Sequence, residues 1–127
     1  MRDRVPAGPP GSTAAGWGDR YGYSRAVRAG NLIEVAGTTA PGESAYEQAR
    51  TALATIEQAL GELGASLEHV VRTRMFVVDL PSNGDEVARA HGEVFADIRP
   101  ATAMYGISRL LNAEMLVEIE ATAFKAS

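Results

Sequence analysis

Cysteine is absent from the chain. Disulfides, thiolate metal sites and a cysteine nucleophile are thereby excluded, and the redox compartment is left open. Long apolar runs are absent as well: nothing approaches the ~18 consecutive apolar residues of a membrane span. Arg2 and Arg4 near the start are followed by no apolar stretch, so no secretory signal is expected and the expected location is the cytoplasm. Histidine is scarce. His69 and His91 stand alone, without a partner at metal-ligand spacing, so both are read as structural and no metal is expected. Positive charge is in deficit, with 12 Lys and Arg against 16 Asp and Glu and a net charge of -4. That balance disfavours broad binding to nucleic acid.

What remains is 127 residues, 46% of them hydrophobic, enough for one domain with a modest core. Residues 1–18 are rich in Pro, Gly, Ser, Thr and Ala and read as a flexible N-terminal arm ahead of a single domain over 19–127. Trp17, the arm's only large apolar residue, either pins it to the body or covers a site, and pinning is the commoner role. Tyr23–Arg28 and Leu32–Ala36 read as a hairpin through Ala29-Gly30-Asn31. Thr38–Glu43 is a loop. Ser44–Leu63 carries Tyr46, Ala49, Leu53, Ile56, Leu60 and Leu63 at helical spacing, with Ser44 and Glu47 as a capping box and Gly64 as terminator. His69–Leu80 alternates as a strand, with Val71, Thr73, Met75 and Val77 on one side and Val70, Arg72, Arg74, Phe76 and Val78 on the other. Pro81-Ser82-Asn83-Gly84 should break it before a second amphipathic helix at Asp85–Asp97. The last two strands are Pro100–Gly106 and Met115–Thr122, joined by a turn at Asn112-Ala113-Glu114.

The order β-β-α-β-α-β-β implies an α+β fold, a single mixed sheet with two helices on one face. The other face carries Val70, Phe76, Leu116 and Phe124 beside Arg72, Arg74, Glu118 and Glu120. A surface part greasy and part charged is poorly served by water alone, so a homo-oligomer with polar pockets is expected.

The element order and four runs together resemble the Rid family of reactive-intermediate deaminases, formerly called YjgF or L-PSP. The runs are Tyr23–Leu32 (YSRAVRAGNL), Val35-Ala36-Gly37, Arg72–Leu80 (RTRMFVVDL) and Val117–Ala121 (VEIEA), and the resemblance covers residues 20–125. It implies a chorismate-mutase-like fold and a homotrimer with three clefts between subunits. It also implies hydrolysis of small imines and enamines, such as 2-aminoacrylate, to keto acids and ammonia without metal or organic cofactor. Carried over by position, Tyr23 matches the cleft tyrosine and Gly37 a glycine whose backbone faces the ligand. Met104 matches a position whose backbone also touches it, and Glu118 the glutamate that positions the attacking water. The departure is at Thr102. Active imine deaminases read Pro-Ala-Arg, where the arginine grips a carboxylate, whereas this chain reads Pro100-Ala101-Thr102-Ala103. Losing such a contact costs about 2–5 kcal/mol, so the resemblance points to an arginine-lacking branch in which 2-aminoacrylate is a doubtful substrate. The Thr102 hydroxyl would suit a neutral polar group.

Glu118 is the candidate base. Glu120 shares its face at i,i+2, and two close carboxylates raise one pKa; pairing of both with Arg72 and Arg74 across the sheet is the plain alternative. Arg74 is the candidate replacement for the missing anchor, set against a salt-bridged role at an oligomer contact. The leading expectation is therefore a homotrimer whose clefts take a small-molecule ligand and hydrolyse an imine or enamine. The rivals are a trimer that binds such a ligand without turnover, and a hydrolase, isomerase or tautomerase using Glu118 as base. Endoribonuclease activity is least favoured, for want of a histidine pair or basic cluster.

Overall fold

The computed structural model describes residues 2–126, which form one mixed sheet and three α-helices. In chain order the elements are β1 (Arg2–Val5), α1 (Thr13–Tyr21), β2 (Ala26–Ala29), β3 (Leu32–Thr38), α2 (Ala45–Glu62), β4 (Val70–Val78), α3 (Leu80–Phe95), β5 (Ala101–Ile107) and β6 (Val117–Phe124). The spatial order is β1-β2-β3-β6-β4-β5. Neighbours are antiparallel except β4 and β5, which are parallel because the connection between them crosses over through α3. The α+β class and the single mixed sheet stand as expected, with a sixth strand and a third helix added at the N-terminal end.

The two expected helices pack on one face. α2 buries Ala49, Ala52, Leu53, Ile56 and Leu60 over β3 and β6, and α3 buries Val87, Ala90 and Phe95 beside β4 and β5. Ile33, Val35, Met75, Val77, Val117 and Ile119 meet them from the sheet. The Ser44 hydroxyl accepts from the Glu47 N–H and caps α2. Glu47 reaches back one residue further than a capping box requires, accepting from the Glu43 N–H. No helix among the described residues is long and apolar enough to cross a membrane.

Three expectations are corrected. Residues 2–18 are not an arm without structure. β1 pairs along β2 from Arg2↔Ala29 to Val5↔Ala26, and Ser12 caps α1 by accepting from the Ala15 N–H. The proline- and glycine-rich composition hid this because the strand's partners lie in β2, not nearby in the chain. Pro81 does not hold the second helix off until Asp85: it sits in the first turn of α3, where its missing N–H is no loss. Val70 is buried and Val71 exposed, the reverse of strict alternation. The ladder of β4 with β6 shifts between Val70 and Arg72, and such a bulge exchanges the faces of the residues before it.

Candidate functional site

β6 turns Val117, Ile119 and Ala121 into the core, which sets Glu118 and Glu120 on the face opposite α2 and α3. Beside them the β3–β6 register shifts between Val35 and Thr38. That irregularity brings the Gly37 backbone against Glu118. A Cβ at position 37 would lie 2.7 Å from Glu118 Cδ and 2.9 Å from its Oε2, so the approach needs a residue without a side chain. Arg25, just ahead of β2, is fastened to the same bulge. Its Nη1 donates to the Gly37 carbonyl at 3.2 Å and to Thr38 Oγ1 at 2.8 Å, and Thr38 in turn donates to the Ala36 carbonyl.

These groups border an open cavity of about 1110 Å³. Tyr23, Arg25, Gly37, Glu118 and Glu120 form its polar side, and Trp17 and Tyr21 of α1 form an aromatic wall with Leu110, Leu111 and Met115 nearby. The volume exceeds the ~300–1,000 Å³ of a typical small-ligand site because one side is unwalled. Burial pushes the Glu118 carboxyl above its ordinary value, the Glu120 charge adds to the rise, and the Arg25 charge opposes it without prevailing. Arg25 forms no ion pair with either carboxylate within 4.0 Å; among the described residues the ion pair at that range is Arg50–Glu93, between α2 and α3.

The residues expected at the site thus divide. Tyr23, Gly37 and Glu118 come together. Arg74, Thr102 and Met104 do not line this cavity. Arg74 stands opposite Glu120 in the ladder, without an ion pair to it, and Phe76 stands opposite Glu118 and stacks on Tyr105 at 5.5 Å. The pairing of both glutamates with Arg72 and Arg74 is therefore not what the structure holds. Thr102, on edge strand β5, turns towards the helices. Its Oγ1 accepts from Thr73 Oγ1 at 2.7 Å; with that proton spent, Thr73 accepts from His91 Nε2 at 2.8 Å. Desolvation holds the His91 pKa below its ordinary value. Met104 packs on the core. His69 Nδ1 accepts from the Ser66 N–H, a local cap. No group of three or more His, Asp or Glu able to hold a metal occurs among the described residues.

Arg25 was the residue that sequence reasoning missed. Tyr23 and Arg25 lie at i,i+2 in a segment read as extended, so they share a side; Arg74 drew attention instead because it sits on the same face as the glutamates.

Comparison with known proteins bears on this arrangement. The family model described as Endoribonuclease L-PSP matches residues 18–125. A Streptomyces coelicolor protein is 35% identical over 98% of this chain and 92% of its own length. A RutC family protein of Pyrococcus abyssi is 33% identical over 81% of this chain and 86% of its own. Among solved structures, a Mycobacterium tuberculosis member of the YjgF/YER057c/UK114 family superposes with a TM-score of 0.89 at 44% identity, covering 98% of this chain and 100% of that one. The E. coli YjgF gene product shares the fold, with a TM-score of 0.76 at 23% identity over 96% and 94% of the two chains.

Proposed function

The chain belongs to the endoribonuclease L-PSP family, which includes the YjgF and RutC proteins, and from that premise we propose that it hydrolyses a small imine or enamine with Glu118 directing the water. The observation that carries this reading is the seat of the Glu118 carboxylate against Gly37, beside Tyr23, at the floor of an open cavity. The water oxygen bonds to the imine carbon as Glu118 accepts its proton. Glu118 returns that proton to nitrogen, giving a carbinolamine. The carbinolamine hydroxyl then passes its own proton through the Glu118 carboxylate to the same nitrogen, the C–N bond breaks as the oxygen pair forms C=O, and ammonia leaves a ketone behind. An enamine enters the same route once protonation at carbon makes it an imine. A carboxyl whose pKa is raised suits a group that must first take a proton and then give it back.

The trimer belongs to the same proposal. Leu32 and Phe124 are opposed in the β3–β6 ladder and exposed, and Tyr105 is exposed beside Phe76 on the same side. Sister copies laid on this face would cover those rings and narrow the cavity. A monomer by light scattering would remove that part of the proposal. A phosphodiester chain is the poorer ligand. Among the described residues Arg25 is the one cation lining the cavity, and two carboxylates accompany it.

The test is an assay in which an amino acid oxidase generates imines and semicarbazide traps those that escape. The protein should speed keto-acid formation at the expense of semicarbazone, and Glu118→Gln should lose about 10²–10⁴-fold in rate. Semicarbazone yields unchanged by the wild-type protein across small, branched and aromatic imines would reject turnover and leave ligand binding alone.

A further inference from the structure

We propose that Arg25, not a residue of β5, holds an anionic group of the ligand, and that the Trp17 and Tyr21 rings select a bulky apolar substituent, aromatic above all, over a small one. The proposal deepens the hydrolytic role argued above and rests on it for the chemistry, but not for the binding.

Arg25 is a half-buried charge that makes no ion pair within 4.0 Å among the described residues, although its charge is felt at Glu118. One nitrogen, Nη1, is spent on the Gly37 carbonyl and Thr38 Oγ1. Nε and Nη2 make no hydrogen bond among the described residues, so one edge of the guanidinium fork is left unused beside the cavity it lines. A planar fork with two free donors matches a carboxylate in two parallel hydrogen bonds. Because the bulge already fixes the head group, little further freedom is lost when an anion arrives.

Gly37 gives the reason for placing that anion here. Arg25 donates to its carbonyl, and Glu118 lies against its α-carbon. Anchor and base therefore share one residue of backbone between them. A 2-imino acid has its electrophilic carbon bonded directly to its carboxylate carbon, so it needs an anion seat next to the base and not across the cavity.

The third substituent of that carbon is left to the aromatic wall. Trp17 is 42% exposed and Tyr21 64% exposed, and both border the cavity. Rings of this size left open to water on one short helix gain most from an apolar guest. The Arg20 guanidinium lies 5.3 Å from the Tyr21 ring centroid, which helps to hold that ring in place.

Calorimetric titration separates these claims from turnover, using three unreactive probes: 3-phenylpropanoate, propanoate and 3-phenylpropanol. Wild type should bind 3-phenylpropanoate at least tenfold more tightly than either of the others. Arg25→Gln should weaken 3-phenylpropanoate tenfold or more and leave 3-phenylpropanol unchanged, while Trp17→Ala should weaken both phenyl probes and leave propanoate unchanged. Arg74→Gln should change none of them. Equal affinity for propanoate and 3-phenylpropanoate, full affinity in Arg25→Gln, or loss of both phenyl probes in that variant would overturn the proposal, the last by showing that Arg25 only props the bulge. Binding as described with no imine turnover would keep this assignment and reject hydrolysis; turnover with binding indifferent to Arg25 would do the opposite.

Discussion

The Glu118 carboxylate rests on the α-carbon of Gly37, where a methyl group would stand 2.7 Å from Cδ. Gly37 is not among the glycines with positive φ, so its backbone accepts alanine, and the atoms in the way are the far end of a flexible side chain. Gly37→Ala should therefore fold and melt within a few degrees of wild type. The carboxylate must move aside, and a displacement of ~1 Å at a reacting group costs about 10²-fold in rate. Parallel melting curves and kcat/KM on an imine substrate test this; a large drop in Tm would make the contact one of packing instead.

A second expectation concerns what the site does to stability. The ordinary value for the Glu118 carboxyl is 4.5, and in the fold it is raised. Below 4.5 the group carries its proton in both states and folding is not opposed. Between 4.5 and the raised value the unfolded chain ionises first, and above both the opposition is complete. Glu118→Gln should thus melt above wild type at neutral pH, with the gap closing as pH falls towards 4.5. A gap that ignores pH would put the gain elsewhere.

The neighbouring carboxylate should tune the reaction. Glu120 raises the Glu118 pKa by its charge. Glu120→Gln should then move the acid limb of the kcat/KM profile to lower pH, with the plateau rate largely kept. A limb that stays in place would mean that Glu118 is not the titrating base.

On the helical side, the Thr73 hydroxyl joins His91 to Thr102. Thr73→Val would leave the His91 N–H without a partner in the core, at a cost of about 1–3 kcal/mol, and Thr73→Ser should recover most of it. His91 also sets an acid threshold. Its folded pKa lies below the ordinary 6.5, so its contribution is present above 6.5 and is lost as pH falls through the depressed value. Melts of wild type and His91→Gln between about pH 4.5 and 7.5 should converge at the acid end.

Much of this was legible along the chain because hydrophobic spacing survives errors at element ends. The stripe from Tyr46 to Leu63 located α2, and the alternation after Met115 put Glu118 and Glu120 on one face. Bulges are where spacing misleads. One put Val70 in the core, and another brought Gly37 and Arg25 to Glu118. Both arise from pairing between strands far apart in sequence, which a one-dimensional pattern does not encode. Pro81 misled differently: the same ring that ends a strand also begins a helix.

α1 is bounded at one end by Ser12 and at the other by the left-handed Gly22, and its Gly18 nests so closely on Ala7 and the Tyr23 carbonyl that a Cβ there would lie 2.8 Å from Ala7 Cβ. The segment that shapes the greasy wall is thus contiguous, self-capped and separate in sequence from Gly37 and Glu118. Any replacement of residues 13–21 is therefore constrained at position 18, where a side chain would press on Ala7 and on the backbone that carries Tyr23.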